Sequence, residues 1–158
     1  GLENARRKGL VTTYIPSNGI SREEFDGQVV EMLQKADVEL VCLAGFMRIL
    51  SPVLIRAFPY RVLNIHPSLL PAFPGLHAQR QALEHGVKSS GCTVHFVDES
   101  LDGGPIIGQA SVPVLEGDSI EDLSNRILAA EHCLYSEAIN LVLSGRCEID
   151  GRRVRING

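Results

Sequence analysis

The sequence is short of the patterns that would commit it to a metal, a nucleotide, a nucleic acid or a membrane. Its 5 histidines include no pair at i, i+4, and its 4 cysteines (Cys42, Cys92, Cys133, Cys147) include no C-x-x-C. The usual zinc-ligand spacings are therefore missing, and no metal is expected. Neither G-x-G-x-x-G nor a Walker-type glycine loop occurs, so dinucleotide or nucleoside triphosphate binding has no motif behind it. No apolar run reaches membrane-spanning length and no signal peptide is recognisable, which points to a cytoplasmic protein without a membrane partner. Charge of one sign is nowhere concentrated. The net charge is −4, and basic residues gather only at Arg152, Arg153 and Arg155 near the end. A nucleic-acid binder needs a concentrated basic face to neutralise phosphates, whereas three arginines on a short tail read as a solvated face. Three of the four cysteines sit inside apolar periodic segments, so they read as buried free thiols in a reducing compartment.

What is present is enough for one packed domain: 158 residues, 44% of them hydrophobic. "GLENARRK" has the basic residues of a helix C-terminus and Gly9 as its stop. Leu10 to Ile15 alternates and predicts a strand. Ser21 and Glu24 have capping-box spacing at the start of a helix that runs to about Ala36, with Phe25, Val29, Met32 and Leu33 on its apolar face. "VELVCLA", Val38 to Ala44, predicts a strand covered on both faces. Ser51-Pro52 opens a short helix, and Arg61 to Ile65 is the next buried strand. His77 to His85 predicts a helix closed by Gly86. Cys92 to Val97 and Ile106 to Val114 predict two strands joined by the turn-rich "DESLDGGP". Ser119 to Ser144 predicts a long helix, and Asp150-Gly151 a closing hairpin. Early alternation of strand and helix indicates α/β with a parallel sheet. The later strands follow one another without helices, which predicts an antiparallel part.

"RVLNIHPSLLPAFPG", Arg61 to Gly75, carries the chemistry. Asn64 and His66 interrupt an apolar strand two residues apart, so both side chains face the same way. Sites in α/β sheets form at the carboxyl ends of strands, and "AGFMRIL" and "DESLDGGP" also follow strands. Three loops can therefore bring an amide, an imidazole and a carboxylate (Asp98, Glu99 or Asp102) to one crevice. An amide can donate to an oxygen that becomes negative, and an imidazole can move a proton near neutrality. A neighbouring carboxylate favours the protonated ring and orients it. No Ser or Cys is paired with this histidine, so direct acyl transfer between two bound substrates suits the set better than a covalent intermediate. Single histidines at strand ends are more often structural, and His77, His85, His95 and His132 fall largely under that reading.

Over "AGFMRILSPVLI", "NIHPSLLPAFPGLHAQRQALEHG" and "GCTVHFVDESLDGGPIIGQ" the sequence closely resembles the phosphoribosylglycinamide formyltransferases, within the folate-dependent formyltransferase superfamily. The likeness spans nearly the whole chain. It implies a Rossmann-like, doubly wound, mostly parallel sheet with an antiparallel part towards the C-terminal half. It implies transfer of a formyl group from 10-formyltetrahydrofolate, as cosubstrate, to the amine of glycinamide ribonucleotide in purine biosynthesis. By the same resemblance Asn64, His66 and Asp102 are catalytic. Met47, Arg48, Ile49 and Leu50, with Val97, Asp98, Glu99, Ser100 and Leu101, line the folate pocket. Glu131 contacts the ribonucleotide, and Leu70-Pro71 is a cis peptide. Related formyltetrahydrofolate hydrolases usually carry a second histidine where Pro67 stands. Transformylases of methionyl-tRNA usually carry an Arg-Gly-Ala-type stretch where Phe73-Pro74-Gly75 stands.

Members of the family normally open with a strand, a phosphate-binding loop, a helix and a second strand. This sequence starts in the helix after them, so residues 1–158 are expected to form a single formyltransferase domain whose phosphate-binding portion and first strands are missing. Gln79 stands where some relatives have histidine, and no catalytic role is given to His77, Gln79 or Arg80. A formyltetrahydrofolate hydrolase and an inactive folate-binding fragment stay open as alternatives. Oligomeric state is not legible.

Overall fold

Helix starts and strand ends follow local chemistry closely. The computed structural model describes residues 1–46 and 48–158. In chain order the elements are α1 (Leu2–Arg7), α2 (Arg22–Lys35), β1 (Val41–Leu43), α3 (Pro52–Ala57), β2 (Val62–His66), α4 (Ala78–Glu84), β3 (Ser89–Phe96), β4 (Ile106–Pro113), α5 (Ile120–Leu143), β5 (Cys147–Asp150) and β6 (Arg153–Ile156). Ser21 caps α2 by accepting from the Glu24 amide at 3.1 Å. Ser119 caps α5 in a full capping box with Asp122, which satisfies amides that the first turn leaves without intrahelical partners. Pro52 occupies the first turn of α3, where its missing N–H costs nothing.

The strands form one six-stranded sheet in the order β1-β2-β3-β4-β6-β5. β1 pairs with β2, and β4 with β6, in parallel; the other neighbours are antiparallel. Four strands (β1, β2, β4, β6) thus share one direction, and β3 and β5 run against them. The crossover through α3 makes the first pair parallel, while the helix-free β3–β4 connection makes an antiparallel pair.

Side-chain alternation on β2 divides the core between two layers. Leu63 packs with Val94, Phe96, Ile107, Ala138 and Val142 under α5. Val62 packs with Leu50, Leu54 and Phe58, against Val29, Val30 and Leu33 of α2, on the other face. A third cluster joins Ala82 of α4 and Cys92 to Leu123 and Ile127 of α5. Helices therefore cover both sheet faces, as expected of a doubly wound fold. Asn64 and His66 follow Val62 at period two and lie on the α2–α3 face.

Three expectations are corrected. Residues 10–15 form no strand; Leu10, Val11 and Tyr14 are exposed, because no neighbouring strand offers a ladder to join. The "VELVCLA" strand shrinks to Val41–Leu43 and is not covered on both faces, since β1 lies at the sheet edge and Cys42 is exposed. Among the cysteines only Cys92 is buried; Cys133 is also exposed and Cys147 is intermediate. All four are free. The Leu70-Pro71 peptide is cis. No helix among the described residues is long and apolar enough to cross a membrane.

Candidate active site

A cavity of about 660 Å³ opens at the carboxyl ends of β1 and β2, within the size range of small-molecule sites. Its walls include Arg48, Ile49, Leu50, Asn64, His66 and the whole stretch from Val97 to Asp102. The three loops singled out from sequence thus converge on one crevice. Met47 lies outside the described residues. Glu131, on α5, is not among the described residues that line the cavity; burial raises its carboxyl pKa, against the opposing pull of His132 and His66.

His66 is 5% exposed and held from both sides. Its Nε2 lies 2.9 Å from the Phe73 carbonyl oxygen. A carbonyl can only accept, so Nε2 carries the proton. Nδ1 faces the Asp102 carboxylate at 3.5 Å, and a protonated imidazole can donate towards both. Asp102 Oδ2 also accepts from the Gly75 amide at 2.8 Å. The proline-rich exit loop therefore supplies two backbone groups, one orienting the histidine and one the aspartate. Ser68 Oγ, buried beneath the loop, donates to the Ala72 carbonyl. Thr93 Oγ1 donates to the Ser68 carbonyl at 2.7 Å and accepts from the Leu70 amide at 3.0 Å.

His95, one of the histidines that the sequence assigns a structural part, has the backbone partner that reading expects and also lines the cavity. It faces Asn64 across the β2–β3 pair, with Asn64 Nδ2 at 3.3 Å from His95 Nε2. His95 Nδ1 donates to the Phe96 carbonyl at 2.9 Å, which leaves Nε2 as the acceptor for the amide. Burial lowers the His95 pKa below 6.5 and keeps the ring in this neutral form. The asparagine is thereby turned to present its remaining amide hydrogen and its oxygen elsewhere. Period two along β3 puts Thr93 and His95 on one face, but only the register with β2 places His95 opposite Asn64.

The Arg48–Leu50 and Val97–Leu101 segments are tied from outside the cavity. Arg48 lies over the Phe25 ring at 4.5 Å, and Asp26, 3% exposed, accepts from the Ser51 amide. Arg56 pairs with Glu99 at 3.2 Å, and Ser100 donates to Asp98 through its amide at 2.8 Å and through its hydroxyl. Leu50 lies deep, while Ile49, Leu76 and Leu101 are exposed. His77 and Gln79 also line the cavity. Cys92 is remote from such chemistry, since burial pushes its thiol up to about 11. Among the described residues no cluster of three His, Cys, Asp or Glu could hold a metal ion.

The formyl transferase family model matches residues 1–139. The chain belongs to this family. It is 46% identical to phosphoribosylglycinamide formyltransferase of Escherichia coli (strain K12) over 166 aligned positions, covering 100% of this chain and 78% of that one. The crystal structure of glycinamide ribonucleotide transformylase 1 from Symbiobacterium toebii superposes with a TM-score of 0.97 at 61% identity, covering 99% of this chain and 74% of that one. A formyltetrahydrofolate deformylase from Pseudomonas syringae shares the fold at a TM-score of 0.93 with 30% identity, over 99% of this chain and 52% of that one. The trifunctional purine biosynthetic protein adenosine-3 of Drosophila pseudoobscura pseudoobscura is 52% identical over 92% of this chain, which spans 11% of that protein's length.

Proposed function

We propose that the protein transfers a formyl group from 10-formyltetrahydrofolate to the primary amine of glycinamide ribonucleotide. The observation that carries this reading is the convergence of Asn64, His66 and Asp102 on one cavity whose other wall is the Arg48–Leu50 and Val97–Leu101 segments. The folate supplies an activated formyl carbon. The amine adds to that carbon, the bond to the folate nitrogen breaks, and one proton leaves the amine as one reaches the folate nitrogen. Asn64, turned by His95, donates to the formyl oxygen as it gains negative charge. His66, held between Phe73 and Asp102, relays the proton. Asp102 holds the ring and balances its charge. Glu131 contacts the ribonucleotide. No step calls for a metal. The likeness to phosphoribosylglycinamide formyltransferases at higher identity than to the deformylase favours an amine over water as acceptor.

The test follows product by mass with 10-formyltetrahydrofolate, with and without glycinamide ribonucleotide. Formylated ribonucleotide is the expected product, and Asn64→Ala and His66→Ala should each lower kcat by roughly 10²–10³-fold. Formate release at the same rate without ribonucleotide would make the protein a hydrolase. Folate binding without turnover would leave it a binding domain.

A further inference from the structure

The three arginines of the tail do not share one role. Arg155 pairs with Asp150 within the hairpin at 2.6 Å. Arg152 instead reaches out of the hairpin, and its Nη2 donates to the Gly103 carbonyl at 2.7 Å. Gly103 directly follows Asp102, so a guanidinium grips the peptide next to the carboxylate that faces His66.

The loop around that peptide needs such a hold. Asp102 has φ of +47°, in the left-handed region that non-glycine residues seldom occupy. Gly104 fixes the loop's far end: a Cβ there would run into the Phe96 carbonyl oxygen. Within the loop Ser100 bonds to Asp98, and Leu101 is 62% exposed. Among the described residues the loop is tied from outside by the Gly75 amide and His66 on Asp102, by the Arg56–Glu99 pair and by Arg152. The hairpin is itself seated beside the loop, because β6 meets β4 at Ile106↔Arg153. The register puts Arg152 next to the start of β4, where its side chain needs no further reach. A charged donor on a backbone carbonyl makes one of the stronger hydrogen bonds.

We infer that Arg152 is a positioning residue for formyl transfer, holding the Gly103–Gly104 peptide by its carbonyl, one residue beyond Asp102, so that the carboxylate stays opposite His66. The hairpin that carries it lies beyond residue 139, where the match to the family model ends, so this hold belongs to the tail and not to the matched region. The inference rests on the formyl-transfer reading above. Arg152 is exposed and is not among the described residues that line the cavity; it acts through the loop.

The experiment measures kcat and KM for formyl transfer in the full chain and in Arg152→Ala, Arg152→Lys, Asp102→Ala and the Arg152→Ala/Asp102→Ala double variant, using single-turnover assays for the slow forms. Arg152→Ala should lower kcat about tenfold, with both KM values within about twofold, since the interaction matters for alignment at the reacting carbon. Arg152→Lys should recover most of the loss, because an ammonium can still donate to the carbonyl. In the Asp102→Ala background the same change should cost less than about twofold, as expected when one residue works through the other. A normal kcat in Arg152→Ala, or an equal tenfold loss in the Asp102→Ala background, would overturn the positioning role while leaving formyl transfer intact. Absence of transfer in the unaltered chain would overturn both.

Discussion

His95 shows how much one neutral ring can decide. Its protonated Nδ1 is committed to the Phe96 carbonyl, so Nε2 must accept, and the Asn64 amide turns to meet it. Protonation of His95 would set a donor against a donor in a site that is 2% exposed. Its folded pKa is depressed by burial below 6.5, so the unfolded chain takes up the proton first. The associated stability is whole above pH 6.5 and is lost progressively as pH falls below it. The urea midpoint should therefore drop between about pH 7.5 and about pH 5.5, and His95→Gln, which cannot titrate there, should flatten that drop. Parallel profiles for the two proteins would place the titration on another group. Nothing in the local sequence separates His95 from an ordinary strand histidine, because its partner lies 31 residues away across the sheet.

At the scale of an element, the β3–β4 pair and its connection build the site's far wall. The ladder slips register between Val94 and His95, an irregularity of the kind that re-aims side chains beside active sites. The connection then returns under Phe96, where Gly104 approaches the strand too closely for any Cβ. Gly104→Ala should push the loop off β3, cost roughly 1–3 kcal/mol of stability as overpacking does, and lower kcat along with it. Unchanged unfolding midpoints and activity would mean that the strand yields without consequence. The turn was legible as "LDGGP"; the need for glycine at that particular spot was not, since the obstructing atom is a carbonyl from the neighbouring strand. The predicted strand at residues 10–15 failed for the same kind of reason: alternation marks a segment able to pair, and pairing needs a neighbour.

Across the whole molecule, α5 is the brace for the parallel strands that end at the site. Tyr135 Oη lies 2.8 Å from the Leu43 carbonyl of β1 and 3.1 Å from the Leu63 carbonyl of β2, while burial drives its phenol pKa upward. One hydroxyl thus ties a helix from the second half of the chain to two strands from the first. Tyr135→Phe should lower stability by about 1 kcal/mol or somewhat more, the usual cost of a lost hydrogen bond with a partner left buried, visible as a lower urea midpoint at unchanged m. An unaltered midpoint would show that the two carbonyls are satisfied within the sheet alone.

Most of the elements, the strand expected at residues 10–15 excepted, are legible in the sequence as local signals. Capping residues at Ser21 and Ser119, apolar periodicity on α5, Pro52 at a helix start and Asp150-Gly151 in a hairpin are local signals, and each acts within a few residues of where it is read. Asn64 and His66 belong to this class too, because two residues of extended chain put them on one face. Only the tertiary structure decided which of these groups meet. Asp102 reaches His66, His95 reaches Asn64, and Arg152 reaches Gly103 through strand register and loop closure. The groups that hold His66, Asp102 and Arg152 in place are backbone: the Phe73 carbonyl, the Gly75 amide and the Gly103 carbonyl. Every residue carries such groups, so side-chain identity cannot announce them; their direction is set by packing.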